Sequence, residues 1–162
     1  KMQEHLIVDG NNALHAIPEF ARELKLDRTR ARESLLHFLE PLQVMGGYLL
    51  SVVFDGKGGP QSVSKHRGIE GYTVIYSSSV EGADGVIERM LMGATQPERI
   101  VVVTNDGLIR NCAYAHGSTA MRVEEVAKRL DYAIESSKSI RKDSKPSTRP
   151  FDSFENKIPF PD

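Results

Sequence analysis

The run Leu6-Ile7-Val8 ends abruptly in Asp9-Gly10-Asn11-Asn12, and three later apolar runs end in polar turns of the same kind. Tyr48-Leu49-Leu50-Ser51-Val52-Val53-Phe54 stops at Asp55-Gly56, Tyr72-Thr73-Val74-Ile75-Tyr76 at Ser77-Ser78-Ser79, and Ile100-Val101-Val102-Val103 at Thr104-Asn105-Asp106-Gly107. Short β-branched runs bounded in this way read as buried strands. Between them lie helical patterns. Over residues 29–45, Leu35, Leu36, Leu39 and Leu42 fall at helical spacing before Gly46-Gly47. From Ala83, the positions Val86, Ile87, Met90 and Leu91 form one apolar stripe. Residues 108–116 and 123–137 read as two further helices, with a short strand at Thr119-Ala120-Met121. Strands that alternate with helices predict an α/β fold: a mainly parallel central sheet of four to five strands with helices on both faces and right-handed crossovers. Residues 13–27, around Pro18, suit a loop with a short helical piece. Residues 57–71, with Gly58-Gly59-Pro60 and the basic Lys65-His66-Arg67, suit a long mobile loop.

With 162 residues the chain has the size of one domain. That domain is expected over residues 2–137, because from residue 138 the composition turns basic and proline-containing, which describes a tail that does not fold by itself. Phe151, Phe154 and Phe160 nonetheless favour packing of its last dozen residues onto the domain. The 21 Lys and Arg nearly cancel the 22 Asp and Glu, so overall charge argues for no particular partner. A lone cysteine, Cys112, excludes an intramolecular disulfide and a cysteine zinc site; it reads as core, and a reducing cytoplasmic setting is the expectation. No apolar run reaches the ~20 residues of a membrane span, and no signal-peptide pattern is visible. The five histidines lack ligand spacing, and glycine-rich nucleotide loops are absent.

In an open parallel sheet the carboxyl ends of the strands share one edge, so Asp9, Asp55 and Asp106 can converge there. Asp84 and Glu88, one helical turn apart, can enter from the helix beside them. Carboxylates brought together raise one another's pKa unless a cation offsets them, and hard oxygen ligands suit Mg²⁺ or Mn²⁺. Acid clusters that hold such ions hydrolyse phosphodiesters, since a bound cation lowers the pKa of a water and steadies the leaving oxygen. Bland readings stand beside this one. Asp-Gly and Asn-Asp-Gly are ordinary turns, Asp84 suits a helix N-terminus, Glu88 suits a solvated helix face, and Arg32 and the Lys65-His66-Arg67 cluster suit solvated surface. The Asp-x-Asp pair that a haloacid-dehalogenase-like phosphatase would need after the first strand is missing.

Asp9-Gly10-Asn11-Asn12 resembles the Asp-Gly-x-Asn signature of the NYN branch of PIN-like nucleases. Phe54-Asp55-Gly56, Ala83-Asp84 with Glu88, and Thr104-Asn105-Asp106 follow in the order and spacing of its YacP-like members, so the resemblance spans residues 6–133. It implies a three-layer PIN-like (Rossmannoid) fold and a metal-dependent endoribonuclease acting on single-stranded RNA, with ribosome-linked mRNA cleavage among YacP-like members. It further implies Asp9, Asp84 and Asp106 as metal ligands, directly or through water, with Glu88 as a fourth carboxylate. Asn12 would orient Asp9 or a substrate phosphate. Asp55 falls in a supporting turn, and Arg32 matches a basic position suited to an RNA phosphate. On the nuclease reading, the basic loop 57–67, with Lys65 and Arg67, is expected to guide the RNA. Position 11 is Asn where an aromatic is common, which removes a base-stacking contact. Two other functions remain open on the residues alone: an RNA- or ribosome-binding module without efficient turnover, and a small-molecule phosphohydrolase.

Overall fold

The structure, a computed structural model, describes residues 3–144, with side chains through residue 138. Strands β1 (His5–Asp9), β2 (Leu49–Phe54), β3 (Ser62–Lys65), β4 (Tyr72–Tyr76), β5 (Ile100–Val103) and β6 (Thr119–Met121) form one sheet in the order β3-β4-β2-β1-β5-β6. All neighbours are parallel except β3, which runs antiparallel to β4. The sheet thus has six strands rather than four to five. The extra one comes from residues expected to be a mobile loop. Ser62–Lys65 is exposed throughout and contributes almost nothing to a core, so its order rests on ladder pairing with β4, which apolar patterning cannot reveal.

Strand alternation sorts the core into two layers. Leu6, Val8, Leu50, Val52, Phe54, Val101 and Val103 face one side. There they meet helices α1 (Gly10–Ala16), α2 (Pro18–Leu26), α3 (Arg28–Val44) and α6 (Val123–Ser144) through Leu14, Phe20, Leu35, Leu39 and Leu130. Ile7, Val53, Ile75 and Val102 face the other side and meet α4 (Gly82–Met92) and α5 (Gly107–Ala115) through Val86, Ile87, Leu91 and Ile109. Each such burial stabilises by about 1.5–3 kcal/mol. Cys112 packs half-buried at the margin of this second layer.

Residues 13–27 form helix almost throughout rather than a loop with one helical piece. Pro18 does not break the pattern, because it stands at the first turn of α2, where its missing N–H has no intrahelical partner to lose. The last helix continues to Ser144, beyond the expected end at 137. Phe151, Phe154 and Phe160 and the rest of the expected tail lie outside the described residues. Among the described residues no helix is long and apolar enough to cross a membrane.

The chain leaves β1 for β2 and β4 on one side, then returns to β5 and β6 on the other, so the topology switches between β1 and β5. In such sheets the two crossovers diverge at this point and open a crevice at the carboxyl edge. Asp9 ends one of those strands and Asp106 follows the other.

Candidate active site at the carboxyl edge

Asp9 shares its strand parity with Ile7, which directs it toward the α4 and α5 layer. It is only 4 % exposed. Its Oδ2 accepts the Thr104 hydroxyl at 3.0 Å, and Oδ1 accepts the Asn12 amide at 3.4 Å, which caps α1. Burial pushes the Asp9 carboxyl up to about 6. The hydrogen bonds from Thr104 and Asn12 oppose the rise, and the charges of Asp84 and Asp106 add to it. Asp84 stands in the first turn of α4, and burial followed by the charges of Asp106 and Asp55 raises its pKa as well. Three carboxylates from β1, α4 and the turn after β5 therefore act on one another across the same space.

Each is held by its own local structure. Gly10 allows the chain to turn tightly after Asp9, since a Cβ there would stand 2.5 Å from the Phe54 ring and 2.8 Å from the Val53 carbonyl oxygen. Asp106 caps α5 by accepting from the Leu108 amide at 2.9 Å, and its own amide donates to the Thr104 hydroxyl at 3.0 Å. Asn12 Oδ1 accepts the Asn105 amide at 2.8 Å and so ties the turn after β5 to α1. Asn105 Oδ1 in turn accepts the Val123 amide at the start of α6.

Asp55 works as a fastener. Its Oδ1 accepts the Ala83 amide at 2.9 Å at the start of α4, and its Oδ2 accepts from Asn11 Nδ2 at 2.7 Å. The Asp55 amide donates back to Asn11 Oδ1 at 3.4 Å. Asn11 is thus a structural partner of Asp55, a pairing across 44 residues that no local pattern announces. Thr104 was part of the motif but carried no expected role; its hydroxyl proves to be the hinge between Asp9 and Asp106.

Glu88, one turn along α4 from Asp84, is exposed, and its charge adds to burial in raising the Cys112 thiol. The expected basic residues stand away from the acids. Lys65 pairs with Glu70 at 2.6 Å and Arg67 with Glu40 at 3.2 Å, so both basic side chains are already engaged along the outer edge of the sheet. His66, expected in a solvated cluster, is buried against Tyr72 and bonds Glu40 at 2.8 Å. Arg32 is buried too, on the face of the sheet opposite the acids, beside Phe54 and Tyr76. Among the described residues no three His, Cys, Asp or Glu side chains stand close enough to hold a metal ion as placed.

A mainly parallel sheet covered by helices on both faces, with this strand order, is a PIN-like fold. This chain belongs to the YacP-like NYN domain family, whose model matches residues 6–158. Its fold is similar to the crystal structure of Rae1 (YacP) from Bacillus subtilis, with 26% identity and a TM-score of 0.66 over 89% of this chain and 84% of that one. The W164L mutant of the same Bacillus subtilis protein matches with 25% identity and a TM-score of 0.68 over 88% and 84%. No curated protein sequence matches the chain.

Proposed function

We propose that this chain is a metal-dependent endoribonuclease that hydrolyses single-stranded RNA, with ribosome-associated mRNA as its working substrate. One observation carries the reading: Asp9, Asp84 and Asp106 come from three elements separated in sequence, yet Asp9 feels the charges of both others, and Asp84 that of Asp106. A site of this kind is unfavourable without a counter-charge. The donor chemistry fits Mg²⁺ or Mn²⁺. The Asp84 carboxylate accepts no hydrogen bond among the described residues, and Asp9 and Asp106 keep lone pairs free beyond their own bonds. Mg²⁺ commonly keeps several of its own waters, so these carboxylates would hold it partly through them. When bound, it would lower the pKa of a water and offset charge on the phosphate.

The side chains of this chain supply the rest. Thr104 and the Asn12 amide fix the direction of the Asp9 lone pairs, and the α5 cap fixes Asp106. Asn12 Nδ2 makes no bond among the described residues, so it is available to donate to a phosphate oxygen in the crevice while Oδ1 holds the neighbouring turn. With a value near 6, Asp9 is ionised at neutral pH and able to hold a cation, and it loses that ability as the medium turns acid.

The deciding experiment incubates wild type and Asp106→Asn with single-stranded RNA and with translating ribosomes, in Mg²⁺, in Mn²⁺ and in chelator. Cleavage by wild type alone, lost in chelator and leaving 5′-phosphate and 3′-hydroxyl ends, is the expected result. Cleavage that survives both the variant and chelation overturns the mechanism. Among the described residues no acid trio stands at ligating distance, and a second reading, an RNA- or ribosome-binding module of the same fold, accommodates that. Tight binding without cleavage in any of these conditions would select it.

A further inference from the structure

Arg32 sits where a charge is costly. Its side chain rises from α3 into the core layer opposite the acids, with Cζ 5.3 Å from the centres of both the Phe54 and Tyr76 rings. The residue is 4 % exposed, and Nε and Nη1 have no hydrogen-bond partner. Only Nη2 is satisfied, donating to the Asp55 carbonyl oxygen at 3.2 Å. An uncharged side chain of similar length would fill the same slot without desolvating a guanidinium. Stability therefore does not account for the arginine, and burial keeps it away from any RNA lying on the acid face. What it holds does account for it. The Asp55 carbonyl belongs to the turn whose carboxylate fastens the Ala83 amide in the first turn of α4, and Asp84 is the next residue of that helix.

We propose that Arg32 is a positioning residue that fixes the Asp55 turn from beneath the sheet and through it sets the α4 N-terminus and the place of Asp84. The activity arm of this proposal rests on the nuclease reading above; the structural arm does not. The two ring contacts hold the guanidinium plane while Nη2 fixes the carbonyl, so turn and helix are coupled through one rigid group. A lysine in that slot offers a point charge with no planar fork, and a methionine offers only packing.

The test compares wild type with Arg32→Met and Arg32→Lys by three readouts: amide hydrogen exchange at Ala83, steady-state cleavage of single-stranded RNA in Mg²⁺, and RNA binding as a function of salt. Arg32→Met is expected to melt no lower than wild type, to exchange the Ala83 amide about tenfold faster or more, and to lose about 10- to 100-fold in kcat with KM unchanged. Arg32→Lys should recover part of the Ala83 protection. The salt dependence of RNA binding should be the same for all three proteins. A salt slope that falls by about one in the variants, with KM raised, would mean that Arg32 meets a phosphate and would overturn the proposal. So would unchanged Ala83 exchange. Should wild type fail to cut RNA, the nuclease reading falls, while exchange at Ala83 and the salt slope still decide whether Arg32 positions the turn. If Arg32→Met does not fold, the same comparisons are made with Arg32→Lys alone, where wild-type exchange and kcat would overturn it.

Discussion

Asp9 combines a site that calls for charge with an environment that resists it, and the consequence is measurable without any substrate. Its folded value of about 6 lies above the ordinary 3.8, so between these values the folded protein binds more protons than the unfolded chain. The Asp9 contribution to stability must then fall as pH rises through that window, and its full cost is present above about pH 6. A shift of about two units corresponds to about 3 kcal/mol, a net figure in which the hydrogen bonds from Thr104 and Asn12 are already counted; an asparagine gives up part of those bonds. Metal-free Asp9→Asn is therefore expected to be about 1–2 kcal/mol more stable than wild type at pH 7.5. The gain should shrink toward zero at pH 4, as read by urea denaturation across the range. A variant less stable at every pH would show that Asp9 is not strained by its burial. Gly56 presents the opposite case, in which backbone contact decides. A Cβ there would stand 1.9 Å from the Ser77 carbonyl oxygen, so Gly56→Ala must separate the ends of β2 and β4 and should cost about 3 kcal/mol or more by the same measurement. Asp9 was legible in the sequence because a strand ending in Asp-Gly is a local signal. The burial of Arg32 was not, because Phe54 and Tyr76 reach it from strands distant in sequence, and beside Glu33 it has the pattern of a solvated helix charge.

At the level of elements, the acids of the edge also serve as helix caps, which separates their structural work from their chemistry. Asp106 caps α5, and asparagine caps as well as aspartate. Asp106→Asn should thus keep its unfolding midpoint within about 0.5 kcal/mol of wild type while abolishing RNA cleavage; a large loss of stability would mean that the carboxylate is structural. Asp55→Ala removes the α4 fastening and the bond from Asn11 Nδ2 while keeping the backbone amide bond to Asn11 Oδ1, and about 1–2 kcal/mol of stability should go with the two lost bonds in urea unfolding. The parallel strands and the helices α3, α4 and α5 were legible because apolar periodicity records burial on one face or two. Strand β3 was not, since its four residues are exposed and only their pairing with β4 orders them. The α1 and α2 helices were obscured for a related reason: Pro18 reads as a break locally, yet it marks the start of α2. Glu88 stands one helical turn from Asp84, as the spacing predicts, while the reach of its charge to Cys112 on the neighbouring helix is not visible in that spacing.

For the molecule as a whole, the six-strand sheet brings β1 and β5 side by side and so gathers at one edge acids that lie far apart along the chain. The fold is then coupled to whatever relieves their repulsion. Any cation that binds the folded edge and not the unfolded chain stabilises by mass action, by about 2.7 kcal/mol at a hundredfold excess over Kd. Wild type should accordingly melt at a higher temperature as Mg²⁺ or Mn²⁺ is added at pH 7.5, and by progressively less as the pH is lowered through 6, where Asp9 takes up a proton. The sign is opposite to that of the Asp9 contribution in the metal-free protein, which becomes more favourable on acidification over the same range. The two melting curves, with metal and with chelator, should therefore converge near pH 5. In Asp9→Asn the metal-dependent rise should be absent at every pH, because the central carboxylate of the three is gone. Sodium chloride at matched ionic strength separates site binding from screening, since screening would raise the melting temperature of Asp9→Asn as well. Equal stabilisation of both proteins by Mg²⁺ and by the salt control would leave the edge a surface of acids with no ion of its own, and the metal mechanism would fall with it.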